Sequence, residues 1–175
     1  MTATLSSAER YQHQYYMSRA IELAKKGRFT TRPNPSVGCV IVKDNQIIGE
    51  GFHYQAGQPH AEVFALRQAY ERDAKYLQGA TAYVTLEPCT MCAGAILHSR
   101  IKRLVFGASD YKTGAVGSRF HFFDDYKMNH TLEITSGVLA EKCGQKLSDF
   151  FKKRREQKKE EKREKNLPLD VEPQS

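Results

Sequence analysis

Two hydrophobic periods alternate along the chain. From Ala8 to Lys26, Tyr16, Ala20, Leu23 and Ala24 recur three and four positions apart, which predicts a helix with one apolar stripe that Gly27 is placed to end. Arg32-Pro33-Asn34-Pro35 is a loop, because two prolines forbid regular pairing there. Val37–Val42 is apolar throughout, as a strand covered on both faces would be, and Gln46–Gly51 pairs back on it across Lys43-Asp44-Asn45. Helical spacing returns over Ala61–Tyr76, with Val63, Leu66, Ala69 and Tyr70 on one stripe. Ala80–Leu86 reads as a strand ending at Glu87-Pro88, Cys89–Ser99 as a helix, Leu104–Ala108 as a buried strand and Thr131–Ser136 as an edge strand. A long helix starts near Leu139 and runs into a basic segment, while 166–175, with two prolines and no apolar period, reads as a disordered tail. Residues 1–165 are therefore expected to form a single domain. Strands alternating with helices predict an α/β fold, a three-layer α/β/α sandwich on a five-stranded mixed sheet.

Composition narrows the class. The chain is 40% hydrophobic and 27% charged, within the soluble globular range. No stretch approaches the roughly 20 apolar residues of a membrane span, and Met1 to Arg10 carries no apolar leader core. A cytoplasmic location and no membrane partner are the resulting expectations. The net charge of +7 is unevenly spread: Lys152–Lys165 holds nine basic and four acidic residues. A polyanionic partner would thus meet that helix first, although such a run is equally a solvated helix with internal Glu–Lys pairing. Four cysteines, Cys39, Cys89, Cys92 and Cys143, are too few and too unevenly spaced for a disulfide framework.

Two short segments carry chemistry: His60-Ala61-Glu62 and Pro88-Cys89-Thr90-Met91-Cys92. Cys-x-x-Cys at a helix start places two thiols one turn apart, within reach of one metal ion, and the helix N-terminus favours their ionised form. Zinc accepts imidazole as readily as thiolate, so His60 completes a three-residue set for one zinc per chain and leaves a fourth position for water. Such water loses its proton near neutral pH instead of near ~16. Glu62, two residues from the histidine, is placed to move that proton. A Cys-x-x-Cys alone is as often a redox pair or half a structural zinc site, and a His-x-Glu alone is close to noise. The second cysteine pair of a structural zinc site is missing, since Cys39 and Cys143 stand alone and read as a strand residue and a helix-face residue. The order His-x-Glu then Pro-Cys-x-x-Cys is the signature of zinc nucleobase deaminases.

On these motifs the chain is identified as a member of the cytidine deaminase-like superfamily. From Tyr15 to about Thr85 it resembles the deaminase domain of the riboflavin-biosynthesis pyrimidine deaminases, through Lys26–Thr31, Pro33–Gly38, Gly49–His53 and Pro59–Val63. From about Tyr83 to Lys165 it resembles bacterial tRNA adenosine deaminases, through Glu87–Ala95, His98–Ile101, Phe106–Ala108, Lys112–Gly114, Met128–His130 and Asp149–Phe151. The chain looks like a hybrid, natural or engineered, joined inside Val84–Cys89.

The pyrimidine resemblance implies pocket roles for Asn34 and His53, and Ala61, between the metal histidine and Glu62, is a further candidate substrate contact. In the tRNA family an asparagine reads the base at the position of His53, and the loop from Gly51 to His60 is longer. In the pyrimidine family an insertion with a phosphate-binding basic residue precedes the second cysteine; here Thr90-Met91 replaces it, and the charged segment after Phe151 leads to the expectation of no fused reductase domain. The tRNA resemblance implies a substrate contact at Asp110, a homodimer, and a nucleic-acid surface at Phe150, Phe151, Arg154 and Arg155, residue types suited to stacking unpaired bases and gripping phosphates. The function implied is adenosine-to-inosine deamination in single-stranded or loop nucleic acid, either a tRNA anticodon loop or, in an engineered relative, single-stranded DNA. Deamination of a free aminopyrimidine nucleotide, cytosine deamination in single strands, and a silent zinc scaffold that binds RNA are the alternatives. The intact Glu62 speaks against the last.

Overall fold

The computed structural model of the chain describes residues 5–72, 77–125 and 129–165, the side chains of Asp125, Lys146, Leu147, Phe150, Glu164 and Lys165 excepted. The tail expected at 166–175 lies outside the described residues. α1 (Ser7–Lys26) starts at a reciprocal cap: Ser6 Oγ accepts from the Glu9 amide at 3.2 Å, and the Glu9 carboxylate accepts from the Ser6 amide at 2.9 Å. β1 (Gly38–Lys43) and β2 (Gln46–Phe52) form the expected hairpin. Its turn residues Asp44 and Asn45 have φ of 51° and 59°, the left-handed pair that lets a two-residue turn follow the strand twist.

α2 (Ala61–Arg72), β3 (Thr81–Leu86), α3 (Thr90–His98) and β4 (Arg103–Ala108) follow, then the short α4 (Phe122–Asp125), β5 (Glu133–Thr135) and α5 (Ala140–Lys165). The predicted end of α2 at Tyr76 falls on residues 73–76, outside the described residues. The strand order is β2-β1-β3-β4-β5, with β1 antiparallel to both neighbours and β3, β4 and β5 parallel. This is the expected five-stranded mixed sheet, with β5 at its edge.

Both faces of the sheet are covered, which explains the unbroken apolar run of β1. Cys39 and Ile41 pack with Ala65 and Leu66 of α2 and Ile96 of α3 on one side. Val40 and Val42 pack with Met17 and Ala20 of α1 and Cys143 of α5 on the other. The four stripe residues expected of α1 are all buried. In α2 the stripe differs: Val63 is half-buried and Tyr70 exposed, and the inner face is Ala61, Ala65, Leu66 and Ala69. The reason is the close approach of β2, where a Cβ on Gly51 would stand 2.2 Å from the Ala61 carbonyl oxygen. An alanine face packed on glycines carries little hydrophobic signal. A polar chain links α1 to the sheet edge: buried His13 meets the Tyr83 hydroxyl at 3.0 Å and Arg103 at 3.3 Å, and Arg103 donates to Glu133 at 2.8 Å. Among the described residues no helix is long and apolar enough to cross a membrane.

Candidate active site

A cavity of about 670 Å³ opens at the carboxyl ends of the parallel strands β3 and β4, between the starts of α2 and α3. That is where open α/β sheets gather ligands, because the loops leaving the strands diverge there. His60 precedes α2, Cys89 caps α3 and Cys92 sits in its first turn. His60 Nδ1 lies 3.6 Å from Cys89 Sγ and 3.4 Å from Cys92 Sγ, and the three donor atoms all fall within 4.8 Å of one another. Tetrahedral zinc with its usual nitrogen and sulfur bond lengths separates two such donors by about 3.6 Å. The arrangement therefore fits a zinc ion without rebuilding.

The sulfur electrostatics point the same way. The Cys89 thiol is held down to about 4, first by the hydrogen bond from Cys92 and also by His60. Cys92 is pushed up by its hydrogen bond to Cys89 and by burial. One of the pair ionises readily and the second does not, a repulsion that a divalent cation between them removes. Glu62, in the first turn of α2, is 3% exposed and lines the cavity beside this set. Burial pushes its carboxyl above the usual carboxylate range, toward the pH at which a group both takes and returns protons.

Asn34 and His53 both line the cavity. His53 is buried, and both its ring nitrogens are engaged, Nδ1 with the Pro59 carbonyl at 3.1 Å and Nε2 with Asn34 Nδ2 at 3.2 Å. A carbonyl only accepts, so Nδ1 carries the proton and Nε2 accepts from the amide. His53 is thereby a wall and a brace, and Asn34 keeps a second amide hydrogen and its carbonyl oxygen for a ligand. Ala61 is fully buried and is not among the cavity-lining residues. Asp110 lines the cavity, but its carboxylate accepts from the Lys112 amide at 2.9 Å and the Thr113 hydroxyl at 2.7 Å, capping its own turn.

The last helix reaches the site. Phe151 and Arg154 line the cavity; Arg154 donates to the Pro33 carbonyl at 3.2 Å and Arg32 to Gln157 at 2.6 Å. Arg155 is exposed and does not line the cavity, and the side chain of Phe150 lies outside the described residues. Glu87, which no motif singles out as a site residue, also belongs here. It is 3% exposed and accepts three backbone amides, from Asp110 at 3.0 Å, Val116 at 2.9 Å and Ser118 at 3.0 Å. The Ala115 amide donates to the Pro88 carbonyl at 2.9 Å, so the loop after β4 is stitched to the turn that bears the cysteines. A Cβ on Gly114 would lie 2.5 Å from both the Asp110 carbonyl oxygen and the Glu87 carboxyl carbon, which leaves room for glycine alone. The available signal was an acid set between an apolar strand and Pro-Cys.

Fold and site together define a hydrolytic nucleobase deaminase with a zinc cofactor. Residues 10–108 match the cytidine and deoxycytidylate deaminase zinc-binding region, and the chain belongs to that family. It is 64% identical over 152 residues to the tRNA-specific adenosine deaminase of Haemophilus influenzae, covering 83% of this chain and 87% of that one. It is 42% identical over 151 residues to the riboflavin biosynthesis protein RibD of Escherichia coli, covering 82% of this chain but only 39% of that longer protein. A solved structure from a study of A-to-I editing by tRNA:A34 deaminases at the wobble position superposes with a TM-score of 0.66 at 34% identity, covering 75% of this chain and 98% of that one. The first two likenesses each run through more than four fifths of the chain, past the Val84–Cys89 segment where the two resemblances meet.

Proposed function

We propose that this chain deaminates adenosine to inosine in an unpaired stretch of nucleic acid, with the anticodon loop of tRNA as its natural substrate. His60, Cys89 and Cys92 hold the zinc, which supplies a water acidic enough to attack at neutral pH. Glu62 would take one proton from the attacking water and pass it to the ring nitrogen beside C6 of the adenine. Glu62 would then take the second proton, from the new hydroxyl on that carbon, and deliver it to the amine, which leaves as ammonia as the carbonyl of inosine forms. Asn34, steadied by His53, offers donor and acceptor to the base edge, and the wall around Leu86 and Val37 keeps bulk water from the reacting carbon.

The observation that carries the nucleic-acid reading is the mouth of the cavity, where Tyr111, Lys112, Phe151 and Arg154 place aromatic rings beside cations. The Lys112 ammonium lies 5.1 Å from the Phe151 ring centre. A free aminopyrimidine nucleotide needs one phosphate grip, whereas a strand needs stacking and several cations along its path. The likeness to RibD supports that nucleotide as the second reading. The paired likeness also supports a hybrid pocket, with its Asn34–His53 wall of the pyrimidine type and its metal turn and last helix of the tRNA type. A cytoplasmic location, and the homodimer that the resemblance to the tRNA family implies, complete the proposal. The test is inosine formation in a hairpin RNA bearing one loop adenosine, against the same adenosine in the stem. Conversion in the loop and none in the stem is expected; equal conversion, or none in either, contradicts the proposal.

A further inference from the structure

The cavity is larger than one base requires. A volume near 670 Å³ lies in the range that holds drug-sized ligands, whereas a single flipped base occupies a fraction of it. The turn that follows β4 contributes Ser109 to Thr113 to its lining. The tip of that turn is Tyr111, 79% exposed although it lines the cavity.

Single exposed aromatics are ordinary on protein surfaces and on their own mean little. Tyr111 differs in how firmly its backbone is held. On one side the Asp110 amide donates to Glu87, and on the other the Gly114 amide donates to the Asp110 carbonyl at 2.9 Å. The Asp110 carboxylate caps the Lys112 and Thr113 amides across the same turn. The exposure of the ring is thus the product of a rigid turn tied to the metal-bearing segment. Phe151, the other cavity-lining aromatic, already faces the Lys112 ammonium. Lys112 and Arg154 line the same cavity and supply cations to which phosphates of a strand could pair.

We infer that Tyr111 is a stacking platform for a base immediately adjoining the target base, so that the mouth binds a strand of at least two nucleotides. The inference rests on the nucleic-acid reading and adds a subsite to it. A phenol ring stacks on any base, so the subsite adds affinity with little sequence preference. Because the turn is already fixed by Glu87, little ordering cost opposes the contact.

The chain has no tryptophan, which provides a direct test. Tyr111→Trp places a lone indole at the mouth. Its emission is to be followed while the full-length zinc protein is titrated with a short single-stranded RNA bearing one adenosine. Binding is measured in parallel by the anisotropy of an end-labelled copy. Quenching at saturation is expected, and an abasic nucleotide on one particular side of the adenosine should abolish it while weakening binding by about 5- to 100-fold. Tyr111→Ala in the otherwise unaltered chain should weaken binding of the intact RNA by a similar factor and Tyr111→Phe should restore it, with zinc content unchanged in each. Saturable binding with unmoved emission, or quenching indifferent to an abasic site on either side, overturns the stacking subsite and leaves the nucleic-acid reading standing. RNA that does not bind at all contradicts that reading and overturns this inference with it.

Discussion

Replacing Glu62 with alanine removes the buried carboxyl that borders the metal set but none of the three donors themselves. Zinc is expected to stay at one per chain while turnover falls by ~10²–10⁴, the usual worth of a positioned proton carrier. Metal analysis beside single-turnover kinetics checks this, and turnover near that of the parent removes Glu62 from the chemistry. X-ray absorption at the zinc edge should show one nitrogen and two sulfur ligands from the protein. Asn34 is the other residue with a separable role. Asn34→Ala should lower kcat/KM by at least ~10-fold with zinc retained, because the amide that meets the base edge is lost. His53→Phe should give a smaller loss of the same kind, since it keeps the wall but releases the Asn34 amide that His53 holds at 3.2 Å. A His53→Phe loss larger than that of Asn34→Ala would make the imidazole the direct reader instead.

Elements decide how firmly those residues are held. The start of α2, with His60 and Glu62, rests on β2 through Gly51, whose missing side chain lets the Ala61 carbonyl come close. Gly51→Ala is expected to cost about 1–3 kcal/mol by overpacking and to lower activity along with stability. Thermal unfolding should fall by roughly 2–12 °C for a chain of this size; an unchanged midpoint would show that the helix can slide without cost. The metal set was legible from the sequence because its donors fall in two short motifs at helix starts, where spacing alone fixes geometry. The alanine face of α2 was hidden, because small residues packed on glycines carry no apolar period. Glu87 was hidden for another reason: its partners are backbone amides 23 to 31 residues away, and amides leave no mark in a sequence. The same holds for His53, for which the resemblance implied a pocket role and whose ring nitrogens the fold engages with Pro59 and Asn34.

Across the whole molecule, charge and the long last helix set what can approach the cavity. Arg154 and Gln157 of α5 tie it to the loop at 32–33, so the helix belongs to the site up to that point. Beyond it, Lys158, Lys159, Lys162 and Arg163 are exposed. Ending the chain after Gln157 should leave zinc and fold intact, weaken RNA binding and flatten its dependence on salt, because fewer phosphates are then neutralised. An unchanged salt slope would make the distal helix a solvated appendage. Stability should also respond to acid through His13, whose pKa is lowered by burial and by Arg103. A group protonated more readily when unfolded stabilises the fold above its unfolded pKa, near 6.5, and loses that contribution as pH falls below it. His13→Asn should flatten this part of the stability profile in denaturant titrations at successive pH values. The central claim, adenosine chemistry on an unpaired strand, meets its most direct test in matched hairpin RNAs that differ only in the loop base, assayed beside a free aminopyrimidine nucleotide. Conversion of loop adenosine to inosine, with kcat/KM well above that for loop cytidine or for the free nucleotide, is the predicted result, and faster turnover of the free nucleotide would contradict it.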